Sequence, residues 1–106
     1  MPDKLVVHVN HAPYDVYIGR RVRNRSDLQP TGWGNPFRIG KDGTREDVMA
    51  RFAEWIQTQP QLLERLPELR GKVLGCWCAP EGGLSPTLDG AVCHGQILAA
   101  LANAYD

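Results

Sequence analysis

The stretch from Gly71 to Leu101 decides the fold. Residues 71–80 read G-K-V-L-G-C-W-C-A-P, and residues 93–101 read C-H-G-Q-I-L-A-A-L. The first run is short, apolar and β-branched at its start, which predicts a buried strand over 73–77. The second carries apolar residues at helical spacing and predicts a helix over 94–104, with Ile97, Leu98, Leu101 and Tyr105 on the core side. Cys93 stands where the N-cap of that helix belongs, so the first-turn amides are free to hold an anion. A strand that ends in polar, reactive residues and leads to a helix N-terminus is the ligand-site geometry of α/β folds.

Working outward, Leu5–Val9 (L-V-V-H-V) and Asp15–Gly19 (D-V-Y-I-G) read as two more strands. The turn between them contains Pro13 and is short, which predicts an antiparallel hairpin. Thr44 and Asp47 stand in capping-box positions, and Val48, Phe52, Trp55 and Ile56 share one face of the helix that follows. Pro60 ends that helix near Gln59 and opens a shorter one carrying Leu62, Leu63 and Leu66, with Gly71 as its stop. The expectation is a single small α/β domain over residues 1–106. It has a three- or four-stranded mixed sheet and about three helices, and it is Rossmann-like.

Composition narrows the function classes. The 106 residues include 12 basic and 12 acidic side chains, for a formal net charge of +0. That balance argues against a protein-wide electrostatic hold on nucleic acid or an anionic membrane. No apolar run approaches the ~20 residues of a membrane span. The N-terminus runs straight into a strand pattern without an apolar leader. The chain has 3 cysteines, an odd number that cannot complete a disulfide framework. Reduced thiols in a cytoplasmic compartment are the expectation.

Three segments carry candidate chemistry. Cys76 and Cys78 alternate along the third strand and share a face, while Trp77 takes the other. With Cys93 and His94 they make a C-x-C…C-H set whose donor types suit zinc. The spacing argues the other way, because common structural sites use C-x2-C pairs and adjacent Cys-His ligands are awkward around one ion. A metal-free protein without cofactor is therefore the expectation, and a small zinc module is the alternative. Cys76 on its own also reads as a buried small hydrophobe. Cys93, with its thiol at a helix end beside His94, is a candidate nucleophile, and Cys78 and His94 complete a catalytic group. Gly95 leaves the first turn open to a ligand. Arg20 and Arg21 follow the second strand and suit phosphate. Residues 32–37 (G-W-G-N-P-F) offer Trp33 as a stacking face and Asn35 as an amide for a base edge or sugar. The bland counterparts are a solvated arginine loop, a packed aromatic loop and a histidine that merely packs.

Taken together, Y-D-V-Y-I-G-R, G-W-G-N-P-F, K-D-G-T-R-E-D-V and G-C-W-C-A-P…C-H-G resemble the domain of unknown function 4326 family. The likeness runs over about residues 5–103. It implies a chain of phage or bacterial type and carries no activity with it. Residues 81–92 (E-G-G-L-S-P-T-L-D-G-A-V) make a longer connection than similar family members have, which leaves the distance from Cys78 to Cys93 open. The functional expectation is binding, with processing as an extension of it, of a nucleotide or related phosphorylated small molecule in the cytoplasm of a bacterial host. Its alternative is a non-enzymatic accessory protein that binds a host protein or sequesters a nucleotide signal.

Overall fold

The computed structural model describes residues 4–19, 32–88 and 90–104. Three short strands form one sheet: β1 (Val6–His8), β2 (Val16–Tyr17) and β3 (Leu74–Cys76). β3 is buried along its whole length and lies in the centre, in the order β1-β3-β2. Both neighbours run parallel to it, with Val6 and Val16 opposite Leu74 and with His8 opposite Cys76. The expected hairpin is thus absent, and the expected mixed sheet is a parallel one. An isolated antiparallel bridge joins Val6 to Leu84.

The correction has a physical cause. β1 and β2 do not pair with each other, because each finds a better partner in the apolar L-G-C run. Residues 9–15 turn at His8, where the amides of His11 and Ala12 donate to its carbonyl, and then carry the chain back across the sheet. Tyr14 makes that crossing over Gly75. A Cβ at Gly75 would lie 2.6 Å from Tyr14 Cγ, so only glycine admits the ring. The Asp15 carboxylate then accepts from the Val73 amide at 2.8 Å, which pins the start of β2 beside β3. All three strands therefore end at the same edge.

Helices cover one face. α1 spans Arg45–Ile56 and begins with the expected capping box: Thr44 Oγ1 accepts from the Asp47 amide, and the Asp47 carboxylate accepts from the Thr44 amide. Those bonds hold the Asp47 pKa below its ordinary value, so this cap is present near neutrality and is lost as the pH falls through the carboxylate range. Val48, Met49, Phe52 and Ile56 are the buried residues of α1. Trp55 is only partly buried and rests edge-on against Phe37. α2 (Pro60–Leu63) and a 3-10 turn at Leu66–Leu69 bury Leu62, Leu66 and Leu69. α3 (His94–Ala102) packs on β1 and β3, with Ile97 and Leu98 fully inside. Tyr105 lies outside the described residues. No helix among them is long and apolar enough to cross a membrane.

Candidate metal centre and adjoining cavity

The parallel arrangement brings three strand ends and one helix start to a single edge of the sheet. Cys76 closes β3, Cys78 lies two residues beyond it, and Cys93 caps α3 with His94 as its first helical residue. One ligand atom from each of Cys76, Cys78, Cys93 and His94 lies within 4.8 Å of all the others. Cys93 Sγ is 2.9 Å from Cys76 Sγ, and no disulfide joins any of the three cysteines. The long connection over 81–92 does not separate Cys78 from Cys93.

Local backbone geometry explains the convergence. Cys93 is extended (φ −141°, ψ 139°) and His94 is helical, so the two adjacent side chains swing toward one point rather than apart. Gln96 holds this turn: its Oε1 accepts from the Val92 amide at 2.7 Å and the Cys93 amide at 3.2 Å. Arg45 Nη1 donates to the Val92 carbonyl at 2.7 Å, tying α1 to the same turn. The awkwardness expected of neighbouring Cys-His ligands is absent because a helix N-cap lies between their two conformations.

The sulfurs and the ring are themselves held. The Cys78 amide donates to Cys76 Sγ and the Gly95 amide to Cys93 Sγ, each at 3.4 Å. His94 Nε2 is 2.9 Å from the Ile18 carbonyl. A carbonyl only accepts, so Nε2 carries the proton, and Nδ1 is left for the sulfurs. The Phe52 ring stands edge-on to the imidazole at 5.2 Å and limits its rotation.

Electrostatics follow from this crowding. Hydrogen bonds from Cys76 and then Cys93 hold the Cys78 thiol far below its ordinary pKa. The bonds to Cys76 and Cys78, together with burial, push Cys93 far up. Burial alone would lower His94, but the bonds from Cys76 and Cys78 outweigh it and raise the pKa to about 9. Without a cation these shifts favour a Cys78 thiolate beside a His94 imidazolium, with the Cys93 thiol kept protonated.

Beside the group lies a cavity of about 430 Å³. Cys76, Cys78 and His94 form part of its wall, with Phe37, Arg38 and Trp77 among the others. Asn35 also reaches the cavity, but its Oδ1 is committed to the Phe37 amide at 2.9 Å. Trp33 is 1% exposed, lies under the Arg65 guanidinium and does not line the cavity. It belongs to the core, which leaves the cavity's aromatic faces to Phe37 and Trp77. Gly95 is likewise absent from the lining. A Cβ there would lie 2.6 Å from Ile18 Cδ1 and 2.9 Å from Val6 Cγ1, so the glycine serves close helix–sheet packing and not the approach of a ligand. Arg20 and Arg21 lie outside the described residues. Sequence reasoning missed Phe37, Arg38 and Trp77 as cavity residues. It also missed Gln96, although glutamine three residues after a cap is a legible signal.

A family model described as a domain of unknown function (DUF4326) matches residues 6–104. The chain belongs to this family. A relative within the curated proteins is "Uncharacterized protein R718" of Acanthamoeba polyphaga mimivirus, 35% identical over 88 residues. That alignment covers 82% of this chain and 65% of the relative, so the chain spans about two thirds of the relative's length. No solved structure matches. The description of the DUF4326 family names no ligand.

Proposed function

We propose that this DUF4326 domain binds one zinc ion through Cys76, Cys78, Cys93 and His94, and that the centre forms one wall of a small-molecule site. One observation carries the reading: four donors of zinc type converge within 4.8 Å while the distal nitrogen of the histidine is tied to a backbone carbonyl. Metal-bound histidines are oriented in that way, by an acceptor on the nitrogen that faces away from the ion. A tetrahedron with Zn–S bonds of about 2.3 Å has edges of ~3.8 Å, so the ion is accommodated if the Cys76–Cys93 sulfur pair opens from 2.9 Å and separations as wide as 4.8 Å close, each by about an ångström. Three thiolates and an imidazole select zinc over magnesium or calcium, which take oxygen ligands. A bound cation also removes the repulsion of three crowded sulfurs. Three free thiols suit a reducing compartment.

The test is a zinc titration of anaerobically prepared, metal-free protein against a chromophoric chelator. We expect one equivalent to be taken from the chelator, and His94→Ala and Cys93→Ser each to weaken the uptake at least about tenfold. Equal affinity of wild type and both variants would sink the assignment.

The cavity's lining supports a nucleotide or other phosphorylated small molecule as the occupant. Phe37 and Trp77 offer aromatic faces and Arg38 offers a guanidinium, all at the carboxyl edge of a parallel sheet where Rossmann-like folds hold their ligands. Nucleotides should then raise the melting temperature of the zinc-loaded protein, and Arg38→Ala should abolish the shift. A shift that survives this variant would remove Arg38 from the site.

A further inference from the structure

The four donors are not equivalent. Cys76 is 1%, Cys93 0% and His94 4% exposed, whereas Cys78 is the least buried member of the set. Three of them have backbone partners. The Cys76 sulfur accepts from the Cys78 amide, the Cys93 sulfur accepts from the Gly95 amide, and His94 bonds the Ile18 carbonyl. Among the described residues, the Cys78 sulfur has no backbone hydrogen-bond partner and lies within 4.8 Å of the other three ligand atoms. Cys78 also lies beyond the end of β3, outside the ladder that holds Cys76. It lines the cavity, and so does His94 behind it.

On this basis we infer that Cys78 is an exchangeable ligand. Resting on the metal reading above, the inference gives that centre a second state, in which Cys76, Cys93 and His94 keep the ion and the fourth position opens into the cavity. The incoming group is a flat heteroaromatic with a ring-nitrogen donor. Phe37 and Trp77 in the cavity lining suit such a ring, and its nitrogen is a borderline donor suited to zinc. In the exchange one metal–sulfur bond breaks and one metal–nitrogen bond forms. Cys78 leaves as a thiolate, and no electron is transferred. An ion with three protein ligands and one replaceable position is the arrangement of catalytic zinc, while four fixed ligands make a structural site.

The experiment uses the full chain loaded with cobalt(II) in place of zinc, with imidazole as the probe and the cobalt absorption spectrum as the readout. Wild-type protein should hold one cobalt, and its spectrum should change saturably with imidazole while the cobalt stays on the protein after desalting. Cys78→Ser should still hold one cobalt and bind imidazole at least about tenfold more tightly, because no thiolate has to be displaced first. Cys76→Ser and Cys93→Ser should lose the metal. The inference is overturned if imidazole leaves the wild-type spectrum unchanged, if it strips the cobalt, or if Cys78→Ser fails to retain the ion. A wild-type chain that binds no cobalt and no zinc would instead overturn the metal reading, and this inference with it. The two failures are therefore distinguishable.

Discussion

Removing the metal, by chelation or by Cys93→Ser, is expected to lower the melting temperature by roughly 15–30 °C. An ion present at a thousandfold excess over its dissociation constant stabilises the folded state by about 4 kcal/mol. For a domain of this size each kcal/mol is worth about 4–8 °C. The loss should be this large because the proposed ion would join a strand end and a helix start that lie far apart in the chain. Cys76 belongs to β3, Cys93 caps α3 and His94 opens it, and the described residues between, 79–88 and 90–92, form no helix and take part only in an isolated bridge. Differential scanning calorimetry of the zinc-loaded, chelated and Cys93→Ser proteins makes the comparison. If all three melt together, the four residues hold no ion that matters to folding.

Phe52→Ala is expected to destabilise the protein by about 3–5 kcal/mol, the usual cost of emptying a buried phenylalanine site. Phe52 is 0% exposed, tilted against Trp55 at 5.8 Å and edge-on to His94 at 5.2 Å. The last contact gives the substitution a second effect. Without the ring, His94 can rotate, so zinc affinity should fall even though no ligand has changed. Trp55→Ala is the control: its side chain is only partly buried and does not reach His94, so it should cost less and leave zinc affinity alone. Urea midpoints and a zinc titration read both effects. Equal losses in the two variants, with zinc affinity untouched in both, would show that the Phe52 ring does not position the histidine.

Much of this architecture was legible in the chain because local rules governed it. Thr44 and Asp47 announced α1, Pro60 ended it, and the apolar run at 97–98 together with Cys93 as its cap defined α3. What stayed hidden depended on tertiary choice. Nothing local says that Val6–His8 will pair with Leu74–Cys76 rather than with Val16–Tyr17; that outcome rests on the central strand being apolar throughout and on Gly75 admitting Tyr14. Trp55 and Met49 exchange prominence for a similar reason, since the helix turns slightly more of its Val48–Met49 edge to the core than the aromatic spacing suggested. At the site, the donor types were visible and their convergence was not. The irregular spacing C-x-C…C-H looked unfavourable on a line. In three dimensions, a strand end and a helix cap meet, and the cap's change of backbone conformation aims Cys93 and His94 at one point. Trp33 carried the same kind of ambiguity: an aromatic between glycines reads equally as platform or core, and burial decides it.

The central claim is that these four residues form one metal site, and X-ray absorption at the zinc edge tests it most directly. The account predicts three sulfur scatterers at about 2.3 Å and one nitrogen at about 2.0–2.1 Å around a single zinc per chain. A shell of oxygens and nitrogens alone, as for zinc held on surface histidines and carboxylates, would contradict it.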